Sequence, residues 1–492
     1  MRLSARTFVP AALVALLAAC SHDPTAAPAG IPAMPTLPAG VAPALVVYGV
    51  TSTGPQGATS ATVYARPEDG SGAERALSRP GVISRAVAVL GAGRVLVAEF
   101  DVADTRIERL VSVDARGRGA PLVLASFDAS AAYSWVRHVE RVGDDLLAEL
   151  LPIGGVGVPS VVALRAGAAA RVLVVSGIVV AADAGRALVL AGAHALAGEG
   201  DLALLDVATG ALTPVGGGDG KDAVVAVEGA QVVANTRAGV RVVAIGAGTS
   251  RALGAAADRA VGVTSGRVVA TRPEPSGTSL VSSALDGQGE RTLVAARGDL
   301  GQVATAAGDV VVYSSDAGLS AVAASGGAST VVDRDVTGAF SLFARAGDRV
   351  VYTAPSTMRT ALRTARLDGG GATTVFEKTL LLPVPLSVQG DRILFRNALL
   401  TEPDEGWLIS AKLDGTEQHD VAWRVQTAAG QRAGAPTDQD YFGITPSGTL
   451  VAEVEYEGGL LWGSQLVVSS PASDVALELS GLGRVRFAGI VP

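Results

Sequence analysis

ALDGQGERTLVAA (284–296), RLDGGGATTVFE (366–377) and KLDGTEQHDVA (412–422) share one pattern: a hydrophobic residue, Asp-Gly, small polar residues and a short apolar or β-branched run. Asp-Gly between two such runs is typical of a tight β-hairpin turn, because glycine accepts a positive φ and aspartate hydrogen-bonds the turn backbone. The pattern therefore predicts hairpins. It gives Asp286, Asp368 and Asp414 a structural role rather than a catalytic one.

The turn recurs at a regular spacing. Its central position falls every 40 residues at Ala166, Asp206, Gly246, Asp286 and Gly326, with further units centred on Asp114, Asp368 and Asp414 and looser copies around Asp69 and Pro471. Within 259–297, four short runs rich in Val, Leu, Thr and Ala are separated by turn residues. A period near 40 built only of strands is the signature of β-propeller blades. The sequence predicts an all-β fold over 44–492, a β-propeller of about ten four-stranded units, as one large toroid or as two smaller propellers in tandem.

The Asp-Gly units, together with VVYSSDAGLSAVAA (311–324), resemble TolB-type propeller repeats. The resemblance covers most of 44–492 and implies a propeller fold. The sequence departs from TolB itself, because a proline-rich segment replaces the α/β N-terminal domain and about ten units replace six. The resemblance therefore does not imply a role in the Tol–Pal system.

The N-terminus has the features of a lipoprotein signal peptide. Arg2 and Arg6 precede an apolar stretch of signal-peptide length within residues 1–19, and Leu17-Ala18-Ala19-Cys20 resembles a bacterial lipobox. Cys20 is the only cysteine in the chain. The resemblance implies that Cys20 carries the lipid and anchors the protein in a membrane. Ser21 in place of Asp favours the outer membrane of the cell envelope.

Residues 20–43 follow as the lipidated cysteine and a Pro/Ala-rich tether. Its 23 residues after Cys20 reach roughly 70 Å if extended as polyproline II. Without Arg2 and Arg6, the 39 basic residues become 37 against 47 acidic ones, a net charge of −10. We therefore expect no nucleic-acid partner.

Motifs for catalysis or metal binding are absent from the sequence. The four His residues are isolated from one another, and there is no HExxH, CxxC or Gly-x-Ser-x-Gly. Asp438 and Asp440 supply only two of the six to eight oxygen ligands that Ca²⁺ needs. The sequence predicts no metal, no other cofactor and no catalytic residue.

Two units exceed the 40-residue period and carry aromatic residues, which are only 4% of the chain. We expect the extra length to form loops at 127–140 and 426–443, and loops on a scaffold are common binding sites. The residues chosen as candidates for binding are Tyr133, Trp135, Arg137, Trp423, Asp438, Asp440, Tyr441 and Phe442. Trp, Tyr and Arg are the residue types enriched in interface hot spots. A second interpretation is that the Trp residues pack between blades.

These features favour a membrane-tethered scaffold that binds a protein or an envelope polymer without catalysis. The alternative is a propeller enzyme, a glycan lyase or hydrolase, that gathers carboxylates in a central pocket. Propellers host both classes, so the fold does not decide between them.

The lipid attachment is directly testable. We expect Cys20→Ala to move the protein from the membrane to the soluble fraction, since the thioether lipid would then be missing. Fractionation by ultracentrifugation and mass spectrometry of the mature N-terminus measure this. Unchanged membrane association of the variant would contradict the prediction.

Overall fold

The computed structural model describes residues 43–491 apart from 54–58, 102, 104, 129–132, 154–156, 193–194, 217–219, 357–358, 379–380, 400–401, 428–429, 432–437, 457–462, 472, 474 and 481–483. All of them belong to one compact unit, 35–492. The predicted signal peptide, Cys20 and the tether lie outside the described residues. Among those residues there is no α-helix, only a 3₁₀ turn at Ala195–Ala197 and 42 strands. No described helix has the length and hydropathy required to cross a lipid bilayer.

The strands form ten blades, each built on four antiparallel strands and numbered here from the N-terminus; hydrogen bonds between blades 4 and 5 join these two into one eight-stranded sheet. Blade 1 contains β1 (Leu45–Thr53), β2 (Thr59–Pro67) and β3 (Arg75–Ala76) together with the last strand, β42 (Arg484–Val491). Blade 2 contains β4 (Ser84–Val89), β5 (Arg94–Phe100), β6 (Ile107–Asp114) and β7 (Leu122–Ser126). Blade 3 contains β8 (Tyr133–Val142), β9 (Asp145–Pro152), β10 (Ser160–Leu164) and β11 (Arg171–Val174). Blade 4 contains β12 (Gly177–Asp183), β13 (Arg186–Ala191), β14 (Glu199–Asp206) and β15 (Leu212–Pro214).

The next four blades follow the same plan. Blade 5 contains β16 (Asp222–Glu228), β17 (Gln231–Thr236), β18 (Gly239–Ala244) and β19 (Thr249–Leu253). Blade 6 contains β20 (Arg259–Thr264), β21 (Arg267–Glu274), β22 (Gly277–Ala284) and β23 (Arg291–Arg297). Blade 7 contains β24 (Val303–Ala306), β25 (Val310–Ser315), β26 (Gly318–Ala323) and β27 (Thr330–Asp333). Blade 8 contains β28 (Ser341–Ala346), β29 (Arg349–Ser356), β30 (Arg359–Arg366) and β31 (Ala372–Glu377).

Blades 9 and 10 complete the series. Blade 9 contains β32 (Leu381–Gln389), β33 (Arg392–Leu399), β34 (Glu402–Lys412) and β35 (His419–Asp420). Blade 10 contains β38 (Asp438–Ile444), β39 (Leu450–Tyr456), β40 (Gly463–Ser469) and β41 (Val475–Glu478). Two further strands, β36 (Arg424–Thr427) and β37 (Gly430–Gln431), extend blade 10 at its outer edge, where β36 pairs with β41 in parallel. The first strand of each blade, with β42 in blade 1, is its inner strand.

The Asp-Gly motifs form the predicted hairpin turns between the third and fourth strands. The Asp286 carboxylate accepts the Gln288 amide at 2.9 Å, and Gly287 has a φ of 80°. In the equivalent turn of blade 8, hydrogen bonds from Arg366 and from the Gly370 amide hold the pKa of Asp368 at about 2. The prediction that these aspartates have a structural role is confirmed.

The ten blades close into one ring. β42 pairs antiparallel with β1 from Leu45↔Val491 to Thr51↔Arg484, so one sheet contains both ends of the folded region. Each blade contacts the next one along the chain, and blade 10 contacts β42 again. Two propellers in tandem would each need a closing sheet of their own. The structure therefore selects the single toroid from the two predicted arrangements.

Apolar side chains fill the spaces between neighbouring blades. Between blades 8 and 9, for example, the buried Val351 and Leu362 pack with Ile393, Phe395 and Ile409. Burial of this kind is the main stabilising contribution to such a fold, at about 25 cal/mol per Å² of apolar surface. The alternating β-branched residues of the strands supply these faces, because side chains alternate between the two faces of a sheet.

Hydroxyl groups tie neighbouring blades together at the third strand. Ser282 donates a hydrogen bond to the Ala324 carbonyl at 2.5 Å, and Thr364 donates to the Leu413 carbonyl at 2.7 Å. Each acceptor lies just after the third strand of the following blade, at the start of its hairpin turn. The same residue type at the same place in the repeat thus fixes the stacking of one blade on the next.

Candidate functional site

The candidate residues lie on two inner strands, except Trp423, which lies between β35 and β36. Tyr133, Trp135 and Arg137 are on β8 of blade 3, and 438–442 are on β38 of blade 10. The prediction that 127–140 and 426–443 are loops is wrong wherever these segments form strands. Residues 133–140 belong to a long β8, residues 426–427 and 430–431 belong to the additional strands β36 and β37, and residues 438–443 belong to β38. Residues 129–132, 428–429 and 432–437 lie outside the described residues.

Most inner strands contain a β-bulge, which is an extra residue that has no opposite residue on the second strand of the blade. Phe442 is this residue in β38, where the register shifts between Tyr441 and Gly443. Arg137 is one of two such residues in β8. A bulge increases the local twist of a strand and re-aims its side chains. Bulges thus help the inner strands to present side chains toward neighbouring blades and the central opening of the ring.

The two groups meet at β42, the strand that closes the ring. The rings of Phe442 and Phe487 are stacked, with centroids 4.6 Å apart and planes 10° from parallel. On the other side, the Arg486 guanidinium carbon lies 4.2 Å from the centroid of the Trp135 ring. We call Trp135, Phe442, Arg486 and Phe487 the closure surface. It joins inner strands of blades 10, 1 and 3, and Arg486 reaches Trp135 although blade 2 lies between them in ring order.

Arg486 is the charged member of the closure surface. Arg486 is solvent-exposed as a residue, but its guanidinium loses water against the Trp135 ring, and this desolvation lowers its pKa. The guanidinium of Arg85 on β4 is close enough to lower that pKa further by repulsion. Arg85 itself lies over the Phe100 ring, 4.6 Å from its centroid. Each of the two arginines thus lies on the face of an aromatic ring.

Arg137, another candidate, has a structural partner. Its Nη1 lies 2.5 Å from Oε2 of Glu149, a side chain that is 0% exposed, whereas the Arg137 side chain is 41% exposed. The other carboxylate oxygen of Glu149 accepts the Val179 amide of blade 4 at 2.7 Å. Arg137 therefore braces a buried carboxylate that connects blades 3 and 4.

Three of the remaining candidates are aromatic residues that pack against neighbouring side chains. Tyr133 contacts Phe127 edge-on, with ring centroids 5.4 Å apart, and Tyr441 packs against the core between blades 9 and 10. Trp423 contacts Trp407 edge-on at 6.4 Å.

The two candidate aspartates lie on β38. Asp440 forms an ion pair of 3.1 Å with Arg396 of blade 9. Asp438 is the first residue of β38. The structure thus brings Trp135 and Phe442 to the closure surface and places Tyr133, Arg137, Trp423, Asp440 and Tyr441 in contacts between or within blades.

Four carboxylates on the inner strands have separate local partners. Asp222 accepts the Leu202 amide, Glu228 accepts the Gly266 amide, Glu140 lies 3.5 Å from His138, and Asp440 pairs with Arg396. Within the part of the chain that the structure describes, no three His, Cys, Asp or Glu side chains are grouped so that they could hold a metal ion. A cleft between blades 1 and 2 contains Glu99, but its carboxylate is paired with Arg79 and Arg109.

Arg85, Arg486 and Phe487 are the site residues that the sequence did not single out. The one sequence feature that could have identified the two arginines is an arginine within β4 and within β42, which are otherwise mostly apolar. That signal is weak, since many strands of this chain contain one arginine. Only the closure of the ring shows that these residues lie beside Trp135 and Phe442.

No protein-family model matches the sequence, and a search of curated proteins found no similar one. Solved structures that align with parts of the chain include an oligogalacturonate lyase in complex with manganese, 13% identical, with a TM-score of 0.29 over 46% of this chain and 63% of the lyase. The tricorn protease is 11% identical, with a TM-score of 0.35 over 85% of this chain and 52% of that chain. The GH74 enzyme of Niastella koreensis is 12% identical, with a TM-score of 0.29 over 88% of this chain and 69% of that chain. Likenesses this distant assign no activity.

The role of Arg137 can be separated from binding by its effect on stability. Arg137→Ala leaves the buried Glu149 carboxylate without its cation, and we expect it to lower the free energy of unfolding by about 1–3 kcal/mol. Arg141→Ala is the matched control, because Arg141 is an exposed residue of the same strand that donates only to the Gly143 carbonyl. Urea denaturation measures both variants. Equal stability of the two variants would show that Arg137 is not a brace.

Proposed function

We propose that this protein is a cell-envelope lipoprotein with TolB-like propeller repeats that acts as a binding scaffold for a protein or an envelope polymer. The lipid on Cys20 anchors it in the outer membrane, and residues 21–43 tether the ring. The lipobox and the proline-rich composition of the tether support the anchoring part of the proposal. The binding part is supported by the closure surface.

The observation that carries the binding role is the contact between Arg486 and Trp135 on inner strands of the ring. Arg and Trp are among the residues that dominate binding energies at interfaces. The chain has only four Trp residues, and one of them holds a solvent-exposed arginine instead of packing wholly into the core. A rigid aromatic ring with a charged group on its face gives both contact area and orientation to a partner.

The roles of the carboxylates also favour binding over catalysis. Glycoside hydrolysis requires two carboxylates that flank one bond, typically 5–10 Å apart. The inner-strand carboxylates described above instead accept hydrogen bonds from different backbone amides or pair with neighbouring basic groups. The hypothesis of a glycan lyase or hydrolase stays a prediction, and the experiment below tests it as well.

We expect Trp135→Ala to reduce capture of the native partner at least several-fold. The lipidated protein is cross-linked in its own envelope, isolated and compared with the variant by quantitative mass spectrometry. Trp423→Ala is the control, since Trp423 packs against Trp407 away from the closure surface. The melting temperatures of both variants are measured to separate loss of binding from unfolding.

Two results would contradict the proposal. One is equal capture by wild type, Trp135→Ala and Trp423→Ala, which would place binding away from the closure surface. The other is turnover of an envelope glycan by the purified protein, seen as new reducing ends or unsaturated sugars. That result would favour the enzyme.

A further inference from the structure

We propose that the cleft between blades 1 and 2 binds the C-terminal residue of a partner peptide. Its free α-carboxylate is bound by Arg79 and Arg109, and its apolar side chain lies against the walls of the cleft. The described lining of the cleft includes no residue of the closure surface. The inference therefore goes beyond the proposed function, because it assigns a second binding site that can fail while the closure surface still binds its partner.

Two guanidinium groups share one carboxylate at this cleft. Arg79 Nε lies 3.0 Å from Oε1 of Glu99, Arg79 Nη2 lies 3.0 Å from Oε2, and Arg109 Nε donates to the same Oε2 at 2.7 Å. The Glu99 side chain is 5% exposed, whereas those of Arg79 and Arg109 are 54% and 31% exposed. Neither arginine forms an ion pair with any other acidic side chain that the structure describes. The group therefore has one excess positive charge, and solvent reaches it.

The short fourth strand of blade 1 opens the cleft. β3 has two residues and β7 of blade 2 has five, so blade 1 covers only part of the facing side of blade 2. In the β6–β7 pair, Val123 lies opposite the buried Val111, and Val123 itself is 40% exposed. Both valines line a cavity of about 200 Å³ together with Leu77, Val97 and the two arginines. Apolar walls and a positive charge thus belong to one small site.

A carboxylate is the anion that suits this charge. It has a single negative charge and neutralises the excess, whereas a phosphate monoester carries about −2. None of the hydrogen bonds that the structure describes for Arg79 and Arg109 uses Nη1, so each guanidinium has donors left for a ligand. Charge-assisted hydrogen bonds of this kind are stronger than neutral ones. Because Glu99 already fixes both guanidinium groups, less side-chain entropy is lost when the ligand binds.

The size and shape of the cleft favour a peptide C-terminus among ligands with a carboxylate. Pockets for drug-sized ligands are typically about 300–1,000 Å³, so a cavity of about 200 Å³ is too small for a long acyl chain and suits one apolar side chain. Leu77 and Val97 belong to the core between blades 1 and 2 and close the inner end of the cleft. A C-terminal residue has the carboxylate and the side chain on one Cα, and its chain leaves in one direction only. Capture of a terminal carboxylate is a known mode of peptide recognition.

The test uses acetylated hexapeptides that are randomised at the last three residues and made both as the free acid and as the C-terminal amide. Full-length lipidated protein in detergent is applied as wild type, Arg79→Gln or Arg165→Gln. Arg165 is the matched control: its side chain is 56% exposed and pairs with the Asp145 carboxylate through the same two nitrogens, but no second described arginine shares that carboxylate. We expect wild type and Arg165→Gln to select free acids that end in an apolar residue, and Arg79→Gln to lose this selection.

Affinities for the best peptide then give a magnitude. We expect about 10-fold or greater weakening by Arg79→Gln and by amidation of the peptide, since each removes one side of an ionic hydrogen bond. Arg79→Lys should give an intermediate loss, because lysine keeps the charge but not the paired donors. Affinity of the wild type should also fall as salt rises. Denaturation curves of each variant show whether it is folded.

A second pair of variants tests the wall of the cleft. Val123→Asp places a carboxylate in the cleft, and we expect it to abolish peptide binding because it neutralises the excess positive charge. Val172→Asp is its control, since Val172 is a 52% exposed residue of the outer strand β11 in blade 3 and does not line the cleft. Both valines are exposed on outer strands, so we expect both variants to fold.

Four outcomes would overturn the inference. Equal binding of amides and free acids, or the absence of any selected peptide, would remove the carboxylate site. Selection of polar C-terminal residues would remove the apolar wall. Equal loss in Arg165→Gln or in Val172→Asp would place binding outside the cleft. Displacement of the best peptide by octanoate, with tighter binding of octanoate, would assign the cleft to a lipid carboxylate. If any of these occurs while Trp135→Ala reduces capture of the native partner, the scaffold function stands and only the second site fails.

Discussion

The pairing of β42 with β1 is the contact on which the rest of the ring depends. A blade in the middle of the chain has a neighbour on each side by connectivity, but blades 1 and 10 meet only if the two ends of the folded region come together. Side chains reinforce this junction: Tyr48 and Arg66 of blade 1 both donate to the Leu479 carbonyl of blade 10, at 3.2 and 2.6 Å. Ser447 donates to the buried Glu68 carboxylate at 2.7 Å, and the Ala44 amide donates to its other oxygen. Without closure, the apolar faces of both terminal blades would be exposed to water.

Closure also creates the candidate site. Arg486 and Phe487 are adjacent on β42, and adjacent residues of a strand point to opposite faces. One therefore reaches Trp135 toward blade 3, and the other stacks on Phe442 of blade 10. A strand that completes the fold thus connects two groups of residues that are about 300 positions apart in the sequence. The same residues that bind a partner in our proposal are held in place by ring closure, so binding and stability of the junction are coupled.

The fold was largely predictable from the sequence because its determinants are local. Asp-Gly turns such as Asp286-Gly287 set the hairpins, and their 40-residue spacing sets the number of blades. The site was predictable only in part. Trp135 and Phe442 stand out by residue type, but their common neighbour Arg486 depends on a contact between the ends of the folded region.

The extra length of the two long units was misinterpreted for a related reason. Loops and added edge strands contain similar short polar sequences, so local sequence does not distinguish them. The parallel pairing of β36 with β41 also requires residues 424–426 to meet residues 475–477, which are distant in the sequence. Bulges are equally hidden, since the extra residue at Phe442 looks like any other residue of an apolar run. Long-range pairing and one-residue register shifts leave little trace in a local pattern.

Disulfide cross-linking across the closing sheet tests the central claim most directly. Val50 lies opposite Val485 in the β1–β42 pair. In the Cys20→Ser background, we expect Val50→Cys with Val485→Cys to form an intramolecular disulfide on mild oxidation, seen as a mobility shift of the denatured, unreduced chain. Val263→Cys on the inner strand of blade 6, combined with Val485→Cys, should not cross-link. Cross-linking of Val485→Cys to position 263 and not to position 50 would contradict the single closed ring and indicate two propellers in tandem.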